Sequence, residues 1–252
     1  MRSVRSWIAG GRTARCGFAT AICTYLWMTV ALFRIPAEEP TLNTVRFGGL
    51  MKDIAEGIAY TRRHPVIPWI IGLQVAASLL VRPYIDLMPG FAVQVFGGGE
   101  KELALLLTAS GIGALAFSIL LTMYSRERWL VYTFAAGMIG SATTLLAFTT
   151  TDHFWTGFAC LLLVGGFATT TGIANATLIQ QYVDRAYRGR VVSLNMACQV
   201  GAPALGALAL GWFAEFVGLQ SSLGAGAIIV IVVTTLSARI LFVKRRETAP
   251  PT

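Results

Sequence analysis

Long apolar runs alternate with short charged connections along this chain. The runs cover residues 17–33, 66–88, 103–124, 129–149, 154–180, 191–216 and 223–243. A helix needs about 20 apolar residues to cross about 30 Å of hydrocarbon, so each run predicts a membrane-spanning helix, the first near the minimum length. Arg34 and Pro36 close the first run; Pro83 lies inside the second, and Pro89-Gly90 is expected to end it. Residues 37–65 are polar, with one periodic stretch. There Leu50, Ile54 and Ile58 recur four apart, Met51 lies beside them, and Lys52, Asp53 and Glu56 fall off that face. The spacing predicts an amphipathic helix over 47–60, lying on a membrane surface or against the floor of a bundle and ended by Arg62-Arg63-His64-Pro65.

Charge turns this string of helices into a topology. One set of connections holds Arg46, Lys52, Arg62, Arg63, Arg126, Arg128, Arg185, Arg188, Arg190, Lys244, Arg245 and Arg246, whereas the alternate set holds Lys101. Cationic loops stay on the cytoplasmic side, so the first set and the C-terminus are expected to be cytoplasmic in a multi-pass inner (plasma) membrane protein. Chain order then starts the first span outside, against the preference of Arg2, Arg5, Arg12 and Arg15. A signal peptide explains that start poorly, because Arg12 and Arg15 interrupt the early apolar run and no small-x-small cleavage site precedes Glu38-Glu39.

Composition agrees and narrows the function classes. The 252 residues are 55% hydrophobic and 13% charged, where a soluble domain carries about 25% charged residues. An all-α integral membrane protein is the expected fold class. The net charge of +8 does not point to nucleic acid, because the basic residues are dispersed among loops with no basic domain to hold a duplex. Cys16, Cys23, Cys160 and Cys198 sit in or beside apolar runs without a CxxC pair, and His64 and His153 stand alone in loops, so no disulfide, metal site or cofactor is expected. Without a GxSxG, a P-loop or paired carboxylates, an enzyme or an ATP-driven pump is not expected. Small residues spaced by four, at Ala136/Gly140/Thr144, Gly137/Ser141, Ser110/Ala114/Ser118, Ala202/Gly206 and Ala207/Gly211, predict helix contact faces.

Few polar residues inside the spans invite a functional reading. Arg82 and Asp86 are one turn apart in the outer part of the second span, and on a continuous helix they share a face and can pair. They read either as a substrate or proton-coupling site, since an intramembrane charge faces a cavity or a partner, or as a structural ion pair. Gln74, Asn175, Asn195 and Gln199 either line the same cavity or hydrogen-bond between helices. Glu215 and Arg239 lie near helix ends and are expected to snorkel. In the cytoplasmic connection between the fifth and sixth spans, Asp184 can pair with Arg188 or Arg190, Gly189 allows a tight turn, and the arginines can bind carboxylates or helix C-terminal carbonyls. These residues read as a latch between helix ends, or as charges that set topology.

Here the sequence resembles the major facilitator superfamily. Asp184 to Ser193, with its Arg188-Gly189-Arg190-Val191-x-Ser193 core, is similar to that family's loop between helices ten and eleven. Arg62-Arg63-His64-Pro65, Leu87-Met88-Pro89 and Gly111-Ile112-Gly113 resemble its transmembrane-secretion effector or enterobactin-exporter branch. Ala202-Pro203-Ala204-Leu205-Gly206-Ala207 resembles the GPxxGG antiporter motif, with Ala202 for the first glycine and Ala207 for the last. The resemblance, from about Cys16 onward, implies helices six to twelve of a twelve-helix fold. Residues 1–36 would hold an arginine-rich start and one preceding helix, 37–65 a cytoplasmic connector, 66–243 a six-helix C-terminal half and 244–252 a tail. It implies proton-coupled efflux of a small amphipathic compound, with the first five helices missing or supplied by a separate N-terminal half. A remnant that transports nothing and an uptake permease are the alternatives.

Overall fold

A computed structural model describes residues 22–30, 47–124 and 129–248, with side chains over 22–30, 55–123 and 129–237. It divides into two compact units, Met1–Phe47 and Gly48–Thr252. In the first, residues 22–30 form helix α1, where the Thr29 hydroxyl donates to the Tyr25 carbonyl at 2.8 Å. The predicted 17–33 span is helical over that stretch. Its two ends, the arginines at 2, 5, 12 and 15, the connector up to residue 46, Arg126 and Arg128 lie outside the described residues, as do the side chains of Leu50, Met51, Lys52, Asp53, Ile54, Arg239 and the last basic cluster.

The second unit is built from α2 (Phe47–Arg63), α3 (Ile67–Leu80), α4 (Tyr84–Gln94), α5 (Glu100–Tyr124), α6 (Leu130–Thr149), α7 (Phe154–Tyr182), α8 (Arg188–Val217) and α9 (Leu219–Thr248). Among the described residues, six segments are long and apolar enough to cross a membrane, with α3 and α4 together forming the first. The periodicity over 47–60 is helical as expected. Ile58, however, is exposed, and the side that meets the bundle carries Gly57, Tyr60 and Thr61.

The second predicted span differs in one respect. Pro89-Gly90 does not end it: α4 runs through Pro89 to Gln94. Proline withholds a single donor here, the one that would meet the Ile85 carbonyl, while the Leu87 N–H to Pro83 carbonyl bond (3.0 Å) and the Val95 N–H to Phe91 carbonyl bond (3.1 Å) hold the turns on either side. The real interruption is at residues 81–83. Both the Val81 and Arg82 N–H groups turn back to the Ala77 carbonyl, at 2.9 and 3.0 Å, and Pro83 leaves the Leu79 carbonyl without its helical donor. Gly206 of α8 lies so close to that carbonyl that a Cβ there would overlap it, and Gly226 of α9 lies against the Leu80 carbonyl. Two glycines thus bring α8 and α9 onto the break.

Helix α7 is the centre, packed along α5 on one side and α6 on the other; α6 packs on α9, and α3 on α8 and α9. The core they share includes Phe91, Phe134, Met138, Phe148, Leu161 and Val164, all fully buried. The connections alternate between two ends. At one end Phe96 meets Phe154 edge-on (5.9 Å) and the Gln220 amide donates to Asp152 at 3.0 Å, joining three predicted connections. At the other, the basic end, α2 meets the connection between α7 and α8.

Candidate functional site

A cavity of about 420 Å³ opens between α3, the 81–83 break, α4, α5, α6 and α7. Its wall is mostly apolar, with a band of polar groups: Gln74 and Ser78 of α3, Arg82 at the break, Tyr84 of α4, Ser110 of α5, Ser141 of α6, and Thr169 and Thr171 of α7. The break is what turns Arg82 and Tyr84 into wall residues. Tyr84 is buried and its hydroxyl shares a 2.7 Å hydrogen bond with the Ser110 hydroxyl. The Gln74 amide donates to the Ser78 hydroxyl at 3.3 Å, while its carbonyl oxygen is buried and has no partner. A buried, unsatisfied amide oxygen is costly in an apolar wall, so it marks a place where a hydrogen-bond donor is wanted.

The predicted site residues divide three ways. Gln74 and Arg82 line the cavity. Asn175 and Asn195 do not: buried, they bond to each other (Nδ2 of Asn175 to Oδ1 of Asn195, 3.2 Å) and tie α7 to α8. Gln199 is half-buried on α8, away from the cavity wall. The expected Arg82–Asp86 pair is corrected. The two form no ion pair and both are exposed, because a shared face at i and i+4 needs a continuous helix, and Pro83 separates Arg82 from the first turn of α4, where Asp86 sits. Sequence reading missed Tyr84, Ser78, Thr169 and Thr171; Ser110 and Ser141 were read only as packing residues. The proline break beside Tyr84 was the available signal.

At the basic end the latch residues do meet helix ends, but with different partners. Asp184 bonds to neither arginine. Its carboxylate accepts from the Tyr60 hydroxyl at 3.0 Å, and its backbone N–H donates back to the same oxygen at 3.2 Å. Arg190 reaches Glu56 of α2 at 2.6 Å and lies over the Tyr187 ring, which stacks on Tyr60 at 4.5 Å. Arg188 donates to the Gln180 carbonyl at 2.9 Å, in the C-terminal turn of α7. Gly189 makes no special turn: it is the second residue of α8, and among the described residues the positive-φ ones are Gly97 and Gly218. Its turn role passes to residues 184–187. Gly57 of α2 faces this connection, where a Cβ would sit 3.4 Å from the Arg190 Cβ, an ordinary contact.

His64 closes the same end. Its Nδ1 accepts from the Val66 and Ile67 N–H groups at 3.2 and 3.3 Å, satisfying two open donors where α3 begins. Burial holds the imidazole below its usual pKa of 6.5, opposed by the charge of Asp184; the other groups facing it are the neutral phenols Tyr60 and Tyr182. A folded pKa below the unfolded one means that His64 stabilises the fold above pH 6.5 and that this contribution falls away as the pH drops from 6.5 toward the folded pKa. Thermal unfolding at pH 7.5 and 5.5 is expected to show that loss as a lower stability at pH 5.5. His64→Asn keeps an acceptor but cannot titrate, so it should flatten this component; an unchanged pH dependence in that variant would refute the role.

Residues 87–252 match the family model described as Major Facilitator Superfamily, more than half of the 252-residue chain. No curated protein and no solved structure matches the chain.

Proposed function

The chain belongs to the major facilitator superfamily, and from that premise we propose that the cavity between α3 and α7 binds a small amphipathic compound that the protein exports against a proton gradient across the inner membrane. Family membership and six apolar spans support a multi-pass membrane transporter rather than an enzyme. The observation that carries the site is the unpartnered Gln74 oxygen set among hydroxyls in an otherwise apolar wall. Export is supported by the resemblance of Arg62 to Pro65 and Gly111 to Gly113 to a secretion branch of the family. The basic end faces the cytoplasm in this reading, as the arginine asymmetry favours. Asp86 is the coupling carboxylate: it is exposed in the first turn of α4, about 12 Å from the end of that helix at 1.5 Å per residue.

Inside-out vesicles from cells expressing the chain test this with three radiolabelled probes of one shape: an arylalkyl carboxylate, its amide and its quaternary ammonium analogue. Gradient-driven accumulation of any of them above empty-vesicle levels, absent in Gln74→Leu and independent of pH in Asp86→Asn, is the expected result. Accumulation only in right-side-out vesicles would make the protein an uptake permease. A second reading is a half-transporter paired with a separate bundle. It is favoured by α5 and α8, where 17% of residues are buried against 39–50% in the other spans. In that case flux requires coexpression of a second bundle that copurifies with the chain. No flux under either condition would identify a non-transporting protein.

A further inference from the structure

We infer that the cavity is selective for an amphipathic monoanion that also carries a neutral hydrogen-bond donor, with the anion on Arg82 and the donor on Gln74. The inference rests on the cavity being a binding site, as proposed above, and names what it takes.

Charge comes first. Arg82 is exposed at the cavity edge, has no carboxylate partner among the described residues, and no acidic residue lines the wall. An arginine cannot shed its proton inside an apolar span, and an unpaired intramembrane charge costs roughly 2.5–3.5 kcal/mol or more, so an anion is the complement that relieves it. Guanidinium offers a planar fork that matches a carboxylate in two parallel bonds. Shape comes second: Ile85, three residues on from Arg82, and Ile173 of α7 supply apolar wall. The third constraint is the donor. Gln74 is 4% exposed, and its carbonyl oxygen accepts nothing from the protein. A ligand that was only an anion would leave this acceptor unsatisfied. A cationic compound would meet Arg82 with no wall carboxylate to offset the repulsion.

Two sources have this chemistry: a free aryl carboxylate and the phosphate-and-hydroxyl headgroup of phosphatidylglycerol. The test uses the full chain in phosphatidylcholine nanodiscs and calorimetric titration with 4-(4-hydroxyphenyl)butyrate, its amide, and 4-phenylbutyrate. The acid is expected to bind at least about tenfold more tightly than the amide, the ratio that one charge-assisted interaction supports. Arg82→Gln should bring acid and amide together, and Arg82→Lys should restore part of the gap, which also shows that the variants fold. Gln74→Leu should remove the advantage of the hydroxyl acid over 4-phenylbutyrate while keeping the acid-over-amide gap. Loss of acid binding in phosphatidylglycerol nanodiscs, with that lipid retained by the wild type and not by Arg82→Gln, assigns the site to the headgroup and keeps the anion chemistry. Equal binding of acid and amide, an unchanged gap in Arg82→Gln, or no binding of the acid overturns the inference. Equal vesicle transport of acid and amide would leave the pathway standing and remove the anion; acid binding without flux would do the reverse.

Discussion

Gly165→Leu is expected to stop the bundle from assembling. Helices α5 and α7 cross with their backbones nearly in contact: a Cβ on Gly165 would overlap the Ser110 carbonyl, and a Cβ on Gly113 would overlap the Leu162 carbonyl. The clash is with main chain on both sides, so no rotamer change relieves it, and the helices must separate. Separation removes contacts along one of the two main seams of α7 and pulls Ser110 away from Tyr84. Overpacking a core with a side chain to spare costs about 1–3 kcal/mol and occasionally more; without repacking room the cost falls at or above that range, a large part of the 5–15 kcal/mol that holds a protein folded. Size-exclusion of a fluorescent fusion in mild detergent should show aggregate where the parent gives a single peak. Gly201→Ala is the control, since a Cβ there meets nothing within 4 Å. A monodisperse, heat-stable Gly165→Leu protein would show that α5 and α7 do not meet at this seam.

That seam also marks where sequence reading stops. Spacing of small residues correctly drew attention to Gly137 and Gly140, which fit against Thr171 and Phe167 of α7, and to Gly206 against the Leu79 carbonyl. It gave no weight to Gly165, because small-xxx-small spacing describes one helix and is silent about its partner. Gly211, in the same kind of pattern, has its nearest neighbour at an ordinary 3.9 Å. Span positions were legible to within a few residues, since length and hydropathy act along the chain. The cavity was legible only at Gln74 and Arg82. Its hydroxyls are residues that lipid-embedded helices also use for internal bonds, as Thr169 and Thr171 do to the Gly165 and Phe167 carbonyls, so nothing local separates a wall hydroxyl from a packing one. The Arg82–Asp86 pairing failed for a related reason: i, i+4 logic assumes a continuous helix, and Pro83 was noted without being allowed to reset the register.

Arg190→Glu is expected to open the basic end, and Glu56→Arg is expected to do the same, while the double exchange recovers most of the loss. Arg190 ties the start of α8 to α2 through Glu56 and through the Tyr187–Tyr60 stack, and Asp184 ties the end of α7 to the same Tyr60. Helix α2 and the connection between α7 and α8, 124 residues apart at Tyr60 and Asp184, are therefore clamped at one small patch, and the bonds made by Glu56 and Tyr60 are lost when α2 moves away. The Glu56–Arg190 pair is about two-fifths exposed, so its Coulomb contribution alone is at the exposed-pair level of about 0.2–1 kcal/mol. Reversing one charge replaces that attraction by a repulsion and releases the ring contacts with it, for a combined shift of about 1–2 kcal/mol toward the open arrangement, or roughly five- to thirtyfold in population. Transport that depends on this end opening and closing should fall by a comparable factor in each single variant, with a matching gain in protease sensitivity within residues 184–187. Because Glu56 and Arg190 take part in further interactions, single substitutions overstate the pair, and the double-mutant cycle isolates it. A cycle with no coupling, in both flux and proteolysis, would mean that α2 is held by the tyrosine stack and Asp184 alone, with the arginine serving only to set topology.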